Sequence, residues 1–223
     1  MPSPATSPDL VLYGYFRSSA AFRVRIALNL KGLAAEQKFV HLLRGGGEQH
    51  GADYKAVNPQ ELVPTLLHDG DAIGQSLAII EYLDEISPDP PLLPREPRAR
   101  ARVRQLSYII ACDIHPLNNL RMLLYLRDRF SIGEEARGEW QRHWISLGLS
   151  TLEALLAQSP LTGAFCHDDS PTLADICLIP QMANARRVNL DLSPYPTLVR
   201  IEAHALAHPA FEAALPKNQP DAE

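Results

Sequence analysis

Hydrophobic residues follow two different rhythms in the first part of the chain. The run LVLYGYF is short and almost continuously apolar, which is typical of a strand buried on both faces. From Ser18 to Lys31, the apolar residues Phe22, Ile26 and Leu30 recur every four positions, which predicts a helix. Gly32 follows directly and is a common helix stop.

Further strand and helix patterns follow. EQKFVHL predicts a second strand, and VPTLLHDGDAIG predicts a hairpin whose turn is Asp69-Gly70. QSLAIIEYLDEI predicts another helix, and the loop before the hairpin has room for a short one. Because helices interrupt the strands, we expect an α/β layer structure.

A proline-rich connector separates this region from the rest of the chain. Five of the eleven residues from Ser87 to Pro97 are proline, which ends a helix and favours extended backbone. Only helical patterns follow: Arg98 to about Phe130 with an interruption at Pro116, Glu134 to Gln158, Ser170 to Val188, Pro196 to Ala207, and Pro209 to Ala214. We therefore predict a disordered tail over residues 1–9, an α/β domain over 10–87, a linker over 88–97 and an all-α domain over 98–223.

Composition and charge narrow the classes of function. An apolar share of 46% in 223 residues is enough for a sizeable core, and a net charge of −5 argues against a broad nucleic-acid-binding face. No apolar run approaches the roughly 20 residues that span a bilayer, and MPSPATSPD lacks the build of a signal peptide. The three cysteines have no CxxC spacing, which predicts free thiols in a reducing, cytoplasmic compartment.

Two serines, Ser18 and Ser19, stand at the predicted start of the first helix. A helix N-terminus has free N–H donors and a partial positive charge, so it stabilises anions, including a thiolate. One hydroxyl is enough to cap the helix, which leaves the second available for a ligand. At a later helix start, Thr172 and Asp175 have the spacing of a capping box, which is a structural feature.

Two further positions are suited to an extended, peptide-like ligand. Pro64 has no N–H and belongs at the start of a strand, where the backbone of Val63 can pair with a ligand as an added strand does. Such a proline is sometimes cis. Gln75 and Ser76 open a helix without a capping-box partner, which leaves N–H groups for solvent or an external carboxylate. Each feature also has a purely structural explanation.

The segment CDIHPLNN is the candidate contribution of the helical region. Cys112, His115 and Asn119 share a helix face, and Pro116 should kink the helix beside them. His115 is then either a structural histidine or one that faces a cleft. Because no second cluster supplies further ligands, a metal site is not expected.

Together these elements resemble the glutathione S-transferases, and most closely their zeta class, which includes maleylacetoacetate and maleylpyruvate isomerases. The resemblance runs from about Leu10 to Pro220 and rests on the segments YFRSS…RVRIALNLKG, NPQELVPTL, QSLAIIEYL, CDIHPLNN, PTLADICLIPQMANARR and DLSPYP. It implies the glutathione S-transferase fold, with a thioredoxin-like α/β N-terminal domain and an all-helical C-terminal domain. It also implies glutathione as the cofactor and a homodimer.

The resemblance also assigns roles in binding glutathione. Ser18, with Ser19 beside it, matches the serine that binds the sulfur. Val63 matches the residue whose backbone pairs with the cysteinyl unit, and Pro64 matches the family's cis-proline. Gln75 and Ser76 match the pair that holds the γ-glutamyl carboxylate. His41 and Gln49 lie where contacts with the glycyl end are expected.

On the substrate side, His115 and Asn119 match residues that line the family's active cleft. Arg17 and Arg187 match arginines that hold the carboxylates of the substrate. Arg186 is adjacent to Arg187, and neighbours on a helix point about 100° apart, so only one of the two is expected to reach the substrate.

The chain departs from the family pattern at one position. Zeta-class members commonly read Ser-Ser-Cys-Ser at this helix start, whereas this chain reads Ser18-Ser19-Ala20-Ala21. An alanine can neither form a mixed disulfide nor attack an electrophile, so thiol-transferase chemistry at Ala20 is disfavoured. Isomerisation is compatible with the change, because its nucleophile is the thiolate of glutathione.

The activity that the resemblance implies is glutathione-dependent cis–trans isomerisation of a dicarboxylic small molecule, maleylacetoacetate, in tyrosine and phenylalanine catabolism. Ser18, Arg17 and Arg187 are the expected catalytic residues. Maleylpyruvate isomerisation in the gentisate pathway is the alternative, since CDIHPLNN fits it equally well while YFRSS favours maleylacetoacetate. General glutathione conjugation and non-catalytic glutathione binding are further alternatives on the same fold. No metal, nucleic acid or membrane is expected to take part.

Overall fold

A computed structural model describes residues 9–223, so the predicted tail lies almost wholly outside the described residues. Within that range the chain forms two compact units. The first extends to Pro91 and also includes Pro209–Glu223, and the second is Leu92–His208. The sequence pattern predicts that residues 209–223 belong to the helical domain. In the structure they belong with the α/β unit.

A four-stranded mixed sheet is the centre of the first unit. Its strands are β1 (Leu10–Gly14), β2 (Glu36–Phe39), β3 (Thr65–His68) and β4 (Asp71–Gly74), in the order β2-β1-β3-β4. β1 runs parallel to β2 and antiparallel to β3, and β3 is antiparallel to β4. The predicted hairpin is confirmed, with Asp69 and Gly70 both at positive φ in the turn, as a type I′ connection requires.

Four helices accompany the sheet: α1 (Ser19–Lys31), α2 (Ala52–Val57), α3 (Ser76–Ile86) and α10 (Pro209–Ala213). α1 ends where the sequence predicts, at Gly32 with φ of 63°, and the N–H of Leu33 closes the helix on the carbonyl of Leu28 at 2.9 Å. α1 packs against both α3 and α10. It is buried on more sides than its apolar spacing suggests, because the side chains of Arg23 and Arg25 are also buried.

The second unit is entirely helical in its regular structure. Its helices are α4 (Pro97–Tyr108), α5 (His115–Asn118), α6 (Leu120–Phe130), α7 (Glu134–Ala157), α8 (Leu173–Arg187) and α9 (Pro196–Leu206). A π-helical segment, Ile109–Ile114, connects α4 to α5. Among the described residues, no helix combines the length and the apolar character needed to cross a membrane.

The helix is interrupted three residues after Pro116, and not at Pro116 as the sequence predicts. Pro116 falls in the first turn of α5, where its missing N–H is tolerated, and the backbone breaks at Asn119, with ψ of 145°. Asn119 then caps α6 by accepting the N–H of Arg121 at 3.1 Å. The carbonyl of Leu117 accepts a hydrogen bond from the indole N–H of Trp140 at 2.8 Å. The break is therefore stabilised by side chains that satisfy its backbone groups.

Candidate active site

The register of the sheet brings four loops to one edge. Gly14 of β1 pairs with Phe39 of β2, while Thr65 of β3 faces Tyr13 on one side and Gly74 of β4 on the other. Strand directions then place the ends of β1, β2 and β4 in one row with the start of β3. Each candidate glutathione ligand of the first unit lies in a segment directly beyond this row.

Ser18 follows β1 and is the N-cap of α1. Its Oγ accepts the N–H of Ala21 at 3.2 Å, and its own N–H donates to the carbonyl of Tyr15 at 3.0 Å. Accepting uses a lone pair, so the hydroxyl hydrogen can still donate to an anion. Capping and ligand binding are thus compatible in the same serine. Ser19 is the first residue of the helix and is buried.

Arg17 is exposed and extends beside the aromatic residues that precede it. Its guanidinium lies 6.0 Å from the ring centre of Phe16. Burial raises the pKa of Tyr15, and the positive charge of Arg17 opposes that rise. Tyr15 and Phe16 belong to a buried apolar cluster that also contains Tyr54. Arg17 therefore presents a positive charge from a loop with a rigid apolar backing.

Gln75 and Ser76 begin α3 directly after β4. Gln75 has φ of 66°, and the amide nitrogen of its side chain donates to Gln60 Oε1 at 2.7 Å. Within the described chain, α3 has no side-chain cap. Buried Arg23 donates from Nη1 to Ser76 Oγ at 3.3 Å, so the Ser76 hydroxyl hydrogen can point to a ligand. This helix start suits a carboxylate.

Val63 and Pro64 immediately precede β3. Their peptide bond is cis, as expected. Ladder pairing of β3 begins at Thr65, so both residues lie outside the paired part of the sheet. Both are buried.

His41 follows β2, and its contacts define its tautomer. Nδ1 accepts the N–H groups of Leu43 and Arg44 at 3.2 and 2.8 Å, so the hydrogen of the neutral ring is on Nε2. Nε2 lies 3.5 Å from a carboxylate oxygen of Glu223, at an ion-pair distance without hydrogen-bond alignment. His41 is therefore a donor that faces a carboxylate.

Gln49 is buried at 6% exposure beside His41. Its Nε2 contacts the carbonyl of Leu42 at 3.4 Å, and among the described residues its Oε1 has no hydrogen-bond partner. Gly47, which precedes this segment, has a φ of 108°, a conformation that favours glycine. A buried amide oxygen without a partner is costly unless a ligand satisfies it.

The remaining candidates lie in the helical unit. The Asn119 amide nitrogen is 3.4 Å from His115 Nε2, so the predicted pair is adjacent. Arg186 makes an ion pair with the buried carboxylate of Glu202, with Nε and Oε1 3.0 Å apart. Arg187 is exposed and contacts Asn184 Oδ1 at 3.4 Å. Both arginines are exposed, but they differ in their partners, because the Arg186 guanidinium is paired with a buried carboxylate.

Sequence reasoning missed several charged residues near this edge of the sheet. Buried Arg25 donates to the carbonyl of Phe16, and Asp221 accepts the N–H of the same residue. Glu223 pairs with both His41 and Arg44. The one available signal was the presence of two arginines within the apolar stripe of α1.

The fold and this row of donors define a protein of the glutathione transferase type. Residues 17–86 match the family model described as glutathione S-transferase, N-terminal domain. The chain is 51% identical over 214 residues to a probable maleylacetoacetate isomerase of Vibrio cholerae, covering 96% of this chain and 99% of that protein.

Solved structures are similar over the same extent. A maleylpyruvate isomerase described as a bacterial zeta-class glutathione S-transferase has 47% identity and a TM-score of 0.92, covering 95% and 99% of the two chains. A maleylacetoacetate isomerase of Methylobacterium extorquens AM1, with bound malonate and glutathione, has 45% identity and a TM-score of 0.91, with the same coverage. The chain belongs to the zeta class of glutathione S-transferases, in the group that includes these isomerases.

Proposed function

We propose that this protein is a glutathione-dependent cis–trans isomerase that converts maleylacetoacetate to fumarylacetoacetate in tyrosine and phenylalanine catabolism. The observation that carries the proposal is Ser18, which caps α1 and retains a hydroxyl hydrogen to donate. By the family resemblance, Ser18 matches the serine that hydrogen-bonds the sulfur of glutathione. Relatives named as maleylacetoacetate isomerases, such as the one from Vibrio cholerae, support the same activity.

The donors at the sheet edge fit glutathione, which has two carboxylates and one thiol. Ser76 and the start of α3 suit the γ-glutamyl carboxylate, with buried Arg23 behind them. His41 Nε2–H suits the glycyl carboxylate, and Gln49 Oε1, an acceptor, suits the N–H of the glycyl residue. Ser18 at the start of α1 suits the sulfur, because a hydroxyl and a helix N-terminus both stabilise a thiolate.

When bound, glutathione supplies the thiolate that adds to the cis double bond and leaves after the bond has rotated. The protein lowers the pKa of that thiol through the Ser18 hydroxyl and the helix end. Ala20 provides no thiol of its own, so the cofactor is the only nucleophile at this helix start. The charge of Arg17 favours an anionic substrate and the enolate character that develops on it.

A substrate with two carboxylates calls for two cationic groups, and we assign Arg17 and Arg187 to them. Arg17, Arg186 and Arg187 are all exposed, but the Arg186 guanidinium is already paired with the buried carboxylate of Glu202. The relative from Methylobacterium extorquens has malonate, a dicarboxylate, bound together with glutathione. Arginine–carboxylate pairs are charge-assisted and often bidentate, which suits selection of a diacid.

The test compares a diacid with a monoester blocked at one end. Arg187→Ala should reduce kcat/KM for the diacid about 10- to 100-fold and leave a monoester blocked at the matching end almost unchanged. The matched variant Arg186→Ala should lower stability through loss of the Glu202 pair but keep diacid preference. Equal losses on both substrates, or loss of preference in Arg186→Ala alone, would show that the assignment is wrong.

Maleylpyruvate is the second candidate substrate. It is favoured by the similarity to a structure named as a maleylpyruvate isomerase. Purified protein should be assayed with both cis acids and glutathione, and the higher kcat/KM identifies the physiological reaction. Conjugation of chlorodinitrobenzene without turnover of either acid would indicate a general transferase, and glutathione binding without any turnover would indicate a binding protein.

Assembly and location complete the proposal. We expect a homodimer in the cytoplasm, as the family resemblance implies. The three cysteines are free, which suits a reducing compartment. Light scattering of the purified protein tests the dimer, and fractionation of the source cells tests the location.

A further inference from the structure

The loop between β1 and α1 carries both Arg17 and Ser18, and its backbone is held by two charged side chains. The N–H of Phe16 donates to Asp221 Oδ2 at 2.9 Å, across 205 positions of sequence. The carbonyl of Phe16 accepts from Arg25 Nη2 at 3.0 Å. Phe16 thus has a carboxylate on its N–H and a guanidinium on its carbonyl.

Arg25 links this loop to the segment that follows α10. Besides Phe16, it contacts the carbonyl of Tyr15 at 3.5 Å from Nη1 and donates from Nε to the carbonyl of Ala214 at 3.2 Å. The carbonyl of Tyr15 also accepts the N–H of Ser18. The turn that leads into Ser18 is therefore bonded to a buried cation, whose position depends on residues after α10.

The opposite charges of Arg25 and Asp221 attract each other. Burial lowers the pKa of Arg25 to about 10, and the Asp221 carboxylate opposes that change. Arg25 consequently stays protonated at neutral pH. Charge-assisted hydrogen bonds are shorter and about twice as strong as neutral ones, so they hold this peptide more firmly than backbone contacts would.

We propose that Asp221 is a positioning residue for the reaction: through the Phe16 N–H it fixes the loop that aims the Ser18 hydroxyl and the Arg17 charge. The proposal rests on the proposed function, because it concerns the same site. Asp221 is not expected to touch glutathione or substrate. A displacement of catalytic groups by about 1 Å lowers rates up to about 100-fold, so loss of this contact should affect turnover more than binding.

The first experiment uses Asp221→Ala and its conservative partner Asp221→Asn, which retains an oxygen to accept the Phe16 N–H. We expect Asp221→Ala to lower kcat about 10- to 100-fold, with glutathione affinity by calorimetry within about threefold of wild type. The ultraviolet absorbance of the bound thiolate should show a raised thiol pKa. Asp221→Asn should recover most of the activity.

Asn29→Ala is the matched control for stability. Asn29 Nδ2 donates to the carbonyl of Ala210 at 2.9 Å, so it ties α1 to α10 without touching the loop. If Asp221 only fastens the segment after α10, both variants will lose stability while kcat and the thiol pKa stay unchanged, and the proposal is wrong. If Asp221→Ala does not fold, Asp221→Glu, which keeps the charge but moves the oxygen, is subject to the same readouts.

A second measurement needs neither glutathione nor activity. Amide hydrogen exchange in the ligand-free protein should be faster at Phe16, Arg17 and Ser18 in Asp221→Ala than in wild type or Asn29→Ala. Unchanged exchange would overturn the proposal even if turnover falls. Lack of isomerase activity in the wild type would instead count against the proposed function and leave the exchange result interpretable by itself.

Discussion

The N-cap residues of α8 and α1, Thr172 and Ser18, both carry a hydroxyl, and the two helix starts use it differently. At the start of α8, the carboxylate of Asp175 is fully buried and accepts the N–H of Cys166 at 2.8 Å, and both the N–H and the hydroxyl of Thr172 at 2.9 Å. At the start of α1, Ser18 is only half-buried and accepts a single N–H, from Ala21.

Under the proposed function, the difference separates a structural helix start from one that binds a ligand. Burial raises the pKa of Asp175, and the hydrogen bonds from Cys166 and Thr172 act in the opposite direction. The capping box stabilises the helical unit by satisfying its own donors. Ser18 keeps a hydrogen to donate, and the helix end keeps its positive potential for an external anion. A hydroxyl N-cap thus stabilises the fold at α8, and at α1 it also leaves a donor for the ligand that we propose.

The largest expected effect is on stability, at Asp175. Asp175→Ala leaves two buried N–H groups without their acceptor, so we expect a loss of about 3–5 kcal/mol in the free energy of unfolding, measured in urea. Asp169→Ala is the matched control, since Asp169 is exposed and accepts one N–H, from Ala164. It should lose about 1 kcal/mol or less. Equal losses would show that the α8 capping box is not specially important.

Ser18→Ala should reduce activity more than it reduces stability. Loss of one hydrogen bond to a charged group is worth about 1.5–3 kcal/mol, so kcat/KM should fall about 10- to 100-fold and the pKa of the bound thiol should rise. Stability should fall by about 1 kcal/mol, as for loss of a helix cap. Ser19→Ala is the control. An unchanged thiol pKa in Ser18→Ala, with a raised one in Ser19→Ala, would move the sulfur-binding role to Ser19.

A smaller effect is expected at Glu223, whose carboxylate pairs with His41 and Arg44. If His41 binds the glycyl carboxylate of glutathione, Glu223 competes with it. Glu223→Gln should then lower KM for glutathione a few-fold and leave KM for γ-glutamylcysteine, which lacks glycine, unchanged. Glu212→Gln makes the same charge change on α10 and should alter neither. A similar change for both thiols would argue against the glycyl assignment.

The smallest effect concerns a third helix start, that of α4. The exposed Glu96 carboxylate accepts the N–H groups of Arg98 and Ala99, which lower its pKa below the ordinary 4.5. A lowered folded-state pKa stabilises the protein above pH 4.5, and the contribution disappears as pH falls through the folded-state value. Thermal unfolding of Glu96→Gln should therefore differ from wild type at neutral pH and converge with it in acid. Isomerase activity should not change.

The sequence by itself determined the features that depend on neighbouring residues. Gly32 ends α1, the Asp69-Gly70 turn joins β3 to β4, and Asp175 completes the capping box, all as the local pattern predicts. These features form between residues a few positions apart, so short motifs specify them. The family resemblance added the fold and the activity, because its motifs extend over nearly the whole chain.

Only the tertiary structure decided the features that depend on the path of the chain. The helix break lies at Asn119 because side chains there satisfy the freed backbone groups, which Pro116 alone does not reveal. Glu202 forms an ion pair with Arg186, whereas Arg187 contacts Asn184, a distinction that adjacent arginines do not show in sequence. Asp221 reaches the N–H of Phe16 because α10 packs on α1. No local sequence motif predicts hydrogen bonds between distant segments, because the two partners come together only when the chain has folded.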